Sequence, residues 1–441
     1  MKIELPWGNE TLVLNVPKTW TIQYPKPAGA VKKETGTEIG RVRTALKKAV
    51  GYPPLEKLKL RGKKVVLVVD DNTRPTPAYK FFNLILDDLE KAGASMKNVV
   101  LIPGLGIHTP MTEAEMAEKV GAHNLKRITW ENHDAFNGDK NHYFGTTRHG
   151  TPVYLNSHLA DAGLIVLIGM VEPHLWAGFG GGLKNILPGL AHAETISAHH
   201  SIIAEPPYLF NRVGMTPEKN MFRTDLEEIH TMISAPIFCI NVIIDHENTI
   251  TTAFAGDPVA IHRDAVAFNI AAAGRILDRQ VDAVITNSHP MNINFKQSMK
   301  CVGNTLPAVK PGGAVIALMR AERGVDDITL PADSKPLWLV KTILRALGPS
   351  RVMGFLERVR KGVNVEEKFL LYYSMQLMRQ YNLYFCAPTL SDDEVRRMGF
   401  FVHSRDPQEI IDIAARKIGK DAVVAVFPEG GATFPILADE Q

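Results

Sequence analysis

Short runs of β-branched and aliphatic residues recur along the chain, and each is followed by a polar or glycine-rich loop and then by a helical pattern. Runs that are apolar on both faces are typical of strands buried in a parallel sheet. Helical crossovers between such strands predict an α/β fold. The predicted strands are residues 64–70, 99–103, 164–170, 283–286, 314–319, 383–387 and 422–427.

Helix boundaries and one hairpin are also marked in the sequence. Alternating residues 3–16 around Gly8-Asn9 predict an N-terminal hairpin. Helices are predicted from Pro77 to about Ala92 and from Pro258 to Leu277. Three further helix starts are predicted by the capping boxes of Thr112 with Glu115 and Ser391 with Glu394, and by Asp406-Pro407.

The chain has 441 residues, which is too long for one ordinary core. We expect two domains with mostly parallel, Rossmann-like sheets and an active-site cleft between them. The junction is predicted after the helical pattern that follows Gly256, giving residues 1–275 and 276–441, with the last residues packing back on the first domain.

Composition excludes several classes of protein. A formal charge of +3 gives no support for nucleic-acid binding. The sequence has no signal-peptide pattern and no apolar stretch of about 18 residues, so we expect a cytoplasmic protein without a membrane span. Its three cysteines are far apart and predict buried free thiols rather than disulfides or a zinc site.

Candidate chemistry lies in the loops that follow the predicted strands. The loop 70–77, DDNTRPTP, places Asp71 and Arg74 near a helix N-terminus, an environment that favours anions. A local Asp–Arg pair with a helix-capping aspartate is the alternative interpretation. The next such loop carries His108 after Gly104, and an imidazole there is a candidate general base.

The densest signal is the segment 170–200, which combines His174, Trp176, a glycine run, Lys184 and the pair His199-His200. Glycines around one lysine let the backbone approach a bulky ligand closely. The spacing matches neither a Walker A loop nor a dinucleotide-binding glycine motif. Adjacent histidines on a helix point in different directions, so at most one of them ligates a given metal. A site with one helix histidine and Lys184 is poor for zinc unless a cofactor supplies the remaining ligands. A packed structural histidine pair is the alternative.

The loop DDNTRPTP, the loop with His108 and above all EPHLWAGFGGGLKN with HAETISAHH resemble the nickel-pincer nucleotide-dependent lactate racemase family. The resemblance runs through most of the chain and is looser in the C-terminal half. It implies an isomerase, a racemase or epimerase of a 2-hydroxy acid, that needs cofactor-biosynthesis enzymes for activation. The cofactor implied is a nickel-pincer nucleotide tethered covalently to Lys184.

The resemblance also implies a role for each matching residue. His108 and His174 are the implied acid/base pair, one removing the hydroxyl proton while hydride leaves C2 and the other acting on the opposite face. The implied cofactor and substrate residues are His200 as nickel ligand, Lys184, Trp176, Asp71, Gly180, Gly181 and Gly182 around the cofactor, and Arg74, Gln297 and Lys300 on the substrate.

Two departures from the family pattern affect the substrate pocket. Lys296 stands where family members tend to have tyrosine, and Trp338 is the only candidate for a C-terminal tryptophan. We therefore expect the family's chemistry to be kept, with lactate or a related or larger hydroxy acid as the substrate. Lys296 either accepts a second carboxylate or points to solvent.

Two other functions remain as alternatives at this point. A nicotinamide-dependent 2-hydroxyacid dehydrogenase would use related chemistry, although the glycine fingerprint for the dinucleotide is absent. A non-catalytic sugar-acid or nucleotide-binding protein would use the same histidines only as hydrogen-bonding groups.

Overall fold

The structure is a computed structural model that describes residues 1–31, 35–204, 213–245, 247–326, 330, 336–359 and 365–438. Its strands are, in chain order, β1 (Lys2–Trp7), β2 (Glu10–Asn15), β3 (Thr21–Gln23), β4 (Lys26–Pro27), β5 (Val65–Asp70), β6 (Val99–Gly104), β7 (Thr129–Trp130), β8 (Asn141–Thr146), β9 (Pro152–Asn156), β10 (Leu164–Met170), β11 (Pro173–His174), β12 (Gly178–Phe179), β13 (Ile237–Ile244), β14 (Ile250–Gly256), β15 (Gly274–Leu277), β16 (Val281–Asn287), β17 (Val309–Leu318), β18 (Asn382–Cys386), β19 (Val402–Ser404), β20 (Val423–Phe427) and β21 (Phe434–Leu437).

The α-helices are α1 (Glu38–Lys47), α2 (Phe82–Lys91), α3 (Glu113–Val120), α4 (Ala122–Leu125), α5 (Ala193–Ala204), α6 (Met221–Ile229), α7 (Ala260–Ala273), α8 (Phe295–Ser298), α9 (Lys300–Thr305), α10 (Leu337–Leu347), α11 (Pro349–Val359), α12 (Val365–Gln380), α13 (Asp392–Met398) and α14 (Pro407–Ala415). None of the helices found in these described ranges is long and apolar enough to cross a membrane.

The contacts divide the chain into two compact units. Unit I contains the described residues between Val31 and Asn269, apart from a short segment that ends at Gly214. Unit II contains Met1–Ala30, that segment and the described residues from Ile270 onward. The N-terminal residues belong to unit II because β3 pairs with β20 and β4 pairs with β15. The domain division at 275/276 stays a prediction.

Unit I is built on a sheet with the strand order β14-β13-β10-β5-β6-β7. Every pair in it is parallel except β13 with β14. All residues of β5 and β10 are buried, because helices and loops cover both faces of these central strands. Full burial of a valine or leucine side chain contributes about 1.5–3 kcal/mol, so the two strands anchor the loops that leave them.

Unit II has its own parallel sheet, in the order β19-β18-β17-β16-β20-β3. A smaller sheet, β21-β15-β4, and the hairpin of β1 with β2 complete its described strands. The α/β fold with parallel sheets that the sequence predicts is therefore confirmed in both units. Cys239, Cys301 and Cys386 are buried free thiols, also as predicted.

Two predicted boundaries need correction, and one strand of the unit I sheet was missed. The helix expected from Pro77 begins as a 3-10 turn, and its α-helical part starts at Phe82. The helix expected to reach Leu277 ends at Ala273, because Gly274–Leu277 pairs as a strand with Phe434–Leu437. The central strand β13 was not predicted. The hairpin and all three predicted caps are confirmed.

Candidate active site

The candidate side chains of unit I follow three neighbouring strands. Asp71 comes directly after β5, His108 comes after β6, and His174 comes after β10. These strands lie side by side in the order β10-β5-β6 and are parallel, so their carboxyl ends share one edge of the sheet. Ligands of open α/β sheets bind at this edge.

His108 and Asp71 form a hydrogen-bonded pair. His108 Nδ1 lies 2.6 Å from Asp71 Oδ2, with Asp71 buried and the imidazole half-exposed. Burial raises the pKa of Asp71, but hydrogen bonds from His108 and Thr73 outweigh it and hold the pKa below its usual range. Asp71 is therefore an ionised acceptor. His108 Nδ1–H donates to it, which leaves the lone pair on Nε2.

The loop that carries Asp71 and Arg74 is held in place by Lys119, a buried residue of α3. Lys119 Nζ donates to the carbonyl oxygens of Asp71 at 3.0 Å and Arg74 at 2.8 Å. It also forms an ion pair with Asp70 at 2.6 Å, and Thr76 Oγ1 donates to the same carboxylate. Burial raises the pKa of Asp70, while Lys119 opposes that rise. This buried set fixes the main chain on both sides of Asp71.

Arg74 lies at the same edge and faces a carboxylate of its own chain. Its Nε is 3.3 Å from Glu172 Oε1, and both side chains are partly exposed. An exposed ion pair of this kind contributes at most about 1 kcal/mol, so a ligand carboxylate can replace Glu172 at little cost. Glu172 also accepts a hydrogen bond from Gly180 N through its backbone oxygen, at 2.7 Å.

His174 and Lys184 are brought into contact by a tight hairpin of β11 with β12. His174 Nε2 lies 2.7 Å from Lys184 Nζ. On its other side, His174 Nδ1 accepts hydrogen bonds from the backbone N–H groups of Trp176 at 3.1 Å and Ala177 at 3.3 Å. Both side chains are half-buried. The imidazole is therefore oriented by the main chain of its own turn.

The glycines of this segment are required by the protein backbone. Gly178, Gly181 and Gly182 have positive φ angles of 69°, 77° and 60°. A Cβ on Gly178 would collide with the carbonyl oxygen of Met215, and one on Gly181 would collide with that of Met170. These two contacts are with protein atoms, which gives the glycine run a structural reason independent of any ligand.

Four fully buried side chains form hydrogen bonds to the backbone of residues 176–182, and none of these contacts was predicted. His262 Nε2 donates to Gly180 O at 2.9 Å, and Arg223 Nη1 donates to Gly181 O at 3.1 Å. The other two bonds join Gly182 N to Asn241 Oδ1 at 3.2 Å and Asn220 Nδ2 to Trp176 O at 3.0 Å. They come from distant parts of the sequence without any motif, so pattern analysis had no signal by which to find them.

His199 and His200 have different surroundings on α5. His199 is fully buried, and its Nε2 donates to Phe222 O at 2.8 Å. His200 Nδ1 donates to the carbonyl oxygen of Ile196 at 2.7 Å, which leaves the lone pair of a neutral ring on Nε2. Burial lowers the pKa of His200 to about 4, so the ring is neutral at pH 7. Its ring centroid lies 4.9 Å from that of Trp176, edge to face.

Among the described residues there is no group of three or more His, Cys, Asp or Glu side chains that could hold a metal ion. A metal at His200 would therefore need most of its ligands from elsewhere. Neutral imidazole nitrogen with its tautomer fixed by a backbone carbonyl is a good single ligand for nickel.

Gln297 and Lys300 lie in unit II, on the short helix α8 and at the start of α9. Gln297 N donates to Asn294 Oδ1 at 2.9 Å, which caps α8. Lys296 and Trp338 are exposed, Trp338 by 70%. A role in substrate binding stays a prediction for all four residues.

Comparison with known proteins shows which proteins this chain is similar to. Residues 7–208 match the family described as the lactate racemase N-terminal domain. Over this segment the chain is similar to the lactate racemase family. Lactate racemase of Thermoanaerobacterium thermosaccharolyticum is 27% identical over 432 residues, covering 97% of each chain. That of Lactiplantibacillus plantarum is 26% identical over 331 residues, covering 73% of this chain and 75% of the relative.

Solved structures agree with the sequence comparison. The lactate racemase apoprotein of T. thermosaccharolyticum superposes with a TM-score of 0.79 at 25% identity, covering 99% of this chain and 100% of that one. A protein from Thermotoga maritima matches with a TM-score of 0.59 at 18% identity, covering 92% of this chain and 100% of that one, and shows likeness of fold alone. The resemblance identified from the sequence is confirmed.

Proposed function

We propose that this protein is a lactate racemase-type isomerase that interconverts the stereoisomers of a small 2-hydroxy acid, lactate or a larger relative. One observation carries the proposal. In a chain similar to lactate racemases, two imidazoles with fixed orientations, His108 and His174, follow parallel strands of one sheet, and a lysine contacts one of them.

The residues present fit a nickel-pincer nucleotide. Lys184 offers a half-buried amine for the covalent tether, and His200 offers one neutral nitrogen to the metal. Trp176, beside His200, supplies an aromatic surface for the cofactor ring. Asp71, Gly180, Gly181 and Gly182 complete the proposed cofactor surroundings. The chemistry that the bound cofactor supplies is reversible acceptance of hydride from C2 of the substrate.

The protein's own groups handle the protons and the carboxylate. His108 Nε2 accepts the hydroxyl proton of one enantiomer, and the ionised Asp71 stabilises the imidazolium that forms. His174 provides a proton on the opposite face when the carbonyl is reduced again, and the reverse reaction exchanges the two roles. Arg74, with Gln297 and Lys300, binds the carboxylate.

Three further expectations accompany the proposal. Residues 1–275 form the cofactor-binding and catalytic domain, and residues 276–441 form the substrate-contacting domain with a cleft between them. Cofactor-biosynthesis enzymes are partners for activation. The cytoplasm is the expected compartment, where those enzymes would meet the chain.

The test is to co-express the chain with cofactor-making enzymes and to measure metal content, intact mass and chirality of products. We expect near-stoichiometric nickel, an added mass on Lys184 and conversion of single enantiomers of lactate or a larger 2-hydroxy acid. Lys184→Ala should abolish the adduct, whereas His123→Phe, at an exposed position on α4, should not. Conversion that instead consumes NAD would favour the dehydrogenase, and no conversion of any enantiomer by loaded protein would favour the binding protein.

A further inference from the structure

The ion pair between Arg74 and Glu172 places a carboxylate of the protein on the group that is proposed to bind the carboxylate of the substrate. Arg74 Nε lies 3.3 Å from Glu172 Oε1, and the two side chains are 36% and 19% exposed. Arginine binds carboxylates through a planar fork of N–H donors, so a side-chain carboxylate and a ligand carboxylate compete for the same donors. A 2-hydroxy acid that binds to Arg74 therefore competes with Glu172.

Glu172 is held beside Arg74 by its own main chain and by the glycine run. Its carbonyl oxygen accepts a hydrogen bond from Gly180 N at 2.7 Å, and its Cγ lies 3.6 Å from the position of a Cβ added at Gly180. The next residue, Pro173, begins β11 and pairs with Phe179. Because the stem of Glu172 packs against this backbone, its carboxylate stays at the same edge of the sheet after a ligand has displaced it from Arg74.

The other charged groups of this edge are already paired within the protein. Lys119, which supports the same loop, is buried and forms its ion pair with Asp70. In the part of the chain that the structure describes, Arg74 is the only side chain that forms an ion pair with Glu172. When a ligand takes Arg74, this edge of unit I therefore presents one carboxylate without a cation.

We propose that Glu172 is a specificity-determining residue that selects 2-hydroxy acids with a single carboxylate. A monocarboxylate replaces one exposed ion pair by another, and this competition lowers its affinity by at most about fivefold. The inference rests on the proposed function, because that function assigns Arg74 to the carboxylate next to the reacting carbon.

A dicarboxylate brings a second negative charge into the same site. The two carboxylates of a four-carbon diacid are closer together than the Debye length of about 8 Å at physiological ionic strength, so salt screens the repulsion from Glu172 incompletely. Like charges that face each other across a binding site reduce affinity for the wrong ligand. Glu172 therefore disfavours the diacid more strongly than the monoacid.

The first experiment compares lactate with malate as substrates of the nickel-loaded full chain. We expect kcat/KM to be at least about tenfold higher for lactate in the unmodified sequence. Glu172→Gln conserves volume and removes the charge. It should raise kcat/KM for malate by about tenfold or more and lower KM for lactate by up to about fivefold, with kcat for lactate within about twofold. A change that depends on the number of charges on the substrate does not arise from a general loss of structure.

The second experiment uses the cofactor-free full chain and measures the carboxylate site directly. Phenylglyoxal modifies arginines, and peptide mass spectrometry gives the rate at Arg74, with the exposed Arg61 as the reference. Lactate and malate should each slow modification of Arg74 and leave Arg61 unaffected. In Glu172→Gln the concentration that halves the Arg74 rate should fall by about three- to fivefold for lactate and by about tenfold or more for malate. Glu90→Gln, which removes the charge from a similar exposed ion pair with Arg127, is the matched control and should change neither concentration.

Three results would overturn the inference: no protection of Arg74 by either acid, an equal or absent change for lactate and malate in Glu172→Gln, or better conversion of malate than of lactate by the unmodified sequence. A higher half-protecting concentration of lactate in Glu172→Gln would do the same, because Glu172 would then orient Arg74 for the ligand instead of competing with it.

The inference fails separately from the proposed function. Protection of Arg74 as expected, in a loaded chain that converts no enantiomer of any hydroxy acid, contradicts the racemase proposal alone. Racemisation that Glu172→Gln leaves unchanged for both acids contradicts this inference alone.

Discussion

Asp71→Asn is the substitution that most directly tests the geometry of the site. It conserves volume and leaves an oxygen for Thr73, but it removes the charge that faces His108 across 2.6 Å. A hydrogen bond to a charged partner contributes about 1.5–3 kcal/mol, which corresponds to a rate loss of about 10- to 150-fold. The amide can also donate to His108 Nδ1. That contact would move the ring proton to Nε2 and remove the general base, which raises the loss toward about 10⁴-fold.

The assay is the rate of conversion of each pure enantiomer, followed by chiral separation and normalised to nickel content. We expect kcat to fall by about 10- to 10⁴-fold while KM changes by less than about threefold, since in the proposed mechanism Asp71 acts through His108 and not on the substrate. Thr73→Val is the matched control, because it removes a hydrogen bond to the same carboxylate and keeps the charge. A fully loaded Asp71→Asn protein with kcat within about twofold of the parent in both directions would refute the assignment of His108 as a base oriented by Asp71.

Three further predictions concern stability, each measured by denaturant unfolding of the cofactor-free protein. Lys119→Met leaves Asp70 buried without its cation and should lower the free energy of unfolding by about 3–5 kcal/mol, whereas an unchanged value would contradict the buried ion pair. Gly181→Ala should lower the free energy of unfolding by more than about 2 kcal/mol or prevent folding, because φ is 77° and the added carbon meets a backbone oxygen. Gly138→Ala is the control and should lower it by less than about 1 kcal/mol, because the added carbon there meets nothing. Burial lowers the pKa of His262 well below its usual value. Below about pH 6.5 the unfolded chain therefore takes up a proton that the folded chain does not, and the free energy of unfolding should fall as the pH drops from there. His262→Gln should make this dependence of stability on pH less steep.

The sequence predicted the fold where local pattern and burial agree. Every predicted strand lies in a sheet, because an apolar run bounded by loop residues has few other stable states. β13 was not predicted although it is central, since Cys239 and Asn241 interrupt its aliphatic pattern. Gly274–Leu277 looked helical from its neighbours and became a strand through its pairing with residues 434–437, which no local pattern reveals.

The residues of the candidate site that follow strands could be predicted from the sequence, whereas the buried residues that support their loops could not. His108, His174 and Asp71 follow strands, and the ends of adjacent parallel strands must meet, so their proximity follows from the fold. Lys119, Arg223 and the other residues that hold the loops lie on separate elements and act through backbone carbonyls. Such bonds carry no sequence motif, because any residue can supply a carbonyl.

The hydrogen bond from His200 to the carbonyl of Ile196 has a consequence for how this position tolerates change. Its acceptor lies one helical turn earlier on the same helix, so the ring nitrogen that this bond leaves without a proton is set by helix periodicity and not by a hydrogen bond to another side chain. Neighbouring side chains can therefore diverge during evolution, or be redesigned, without reversing the imidazole, provided that α5 keeps its register.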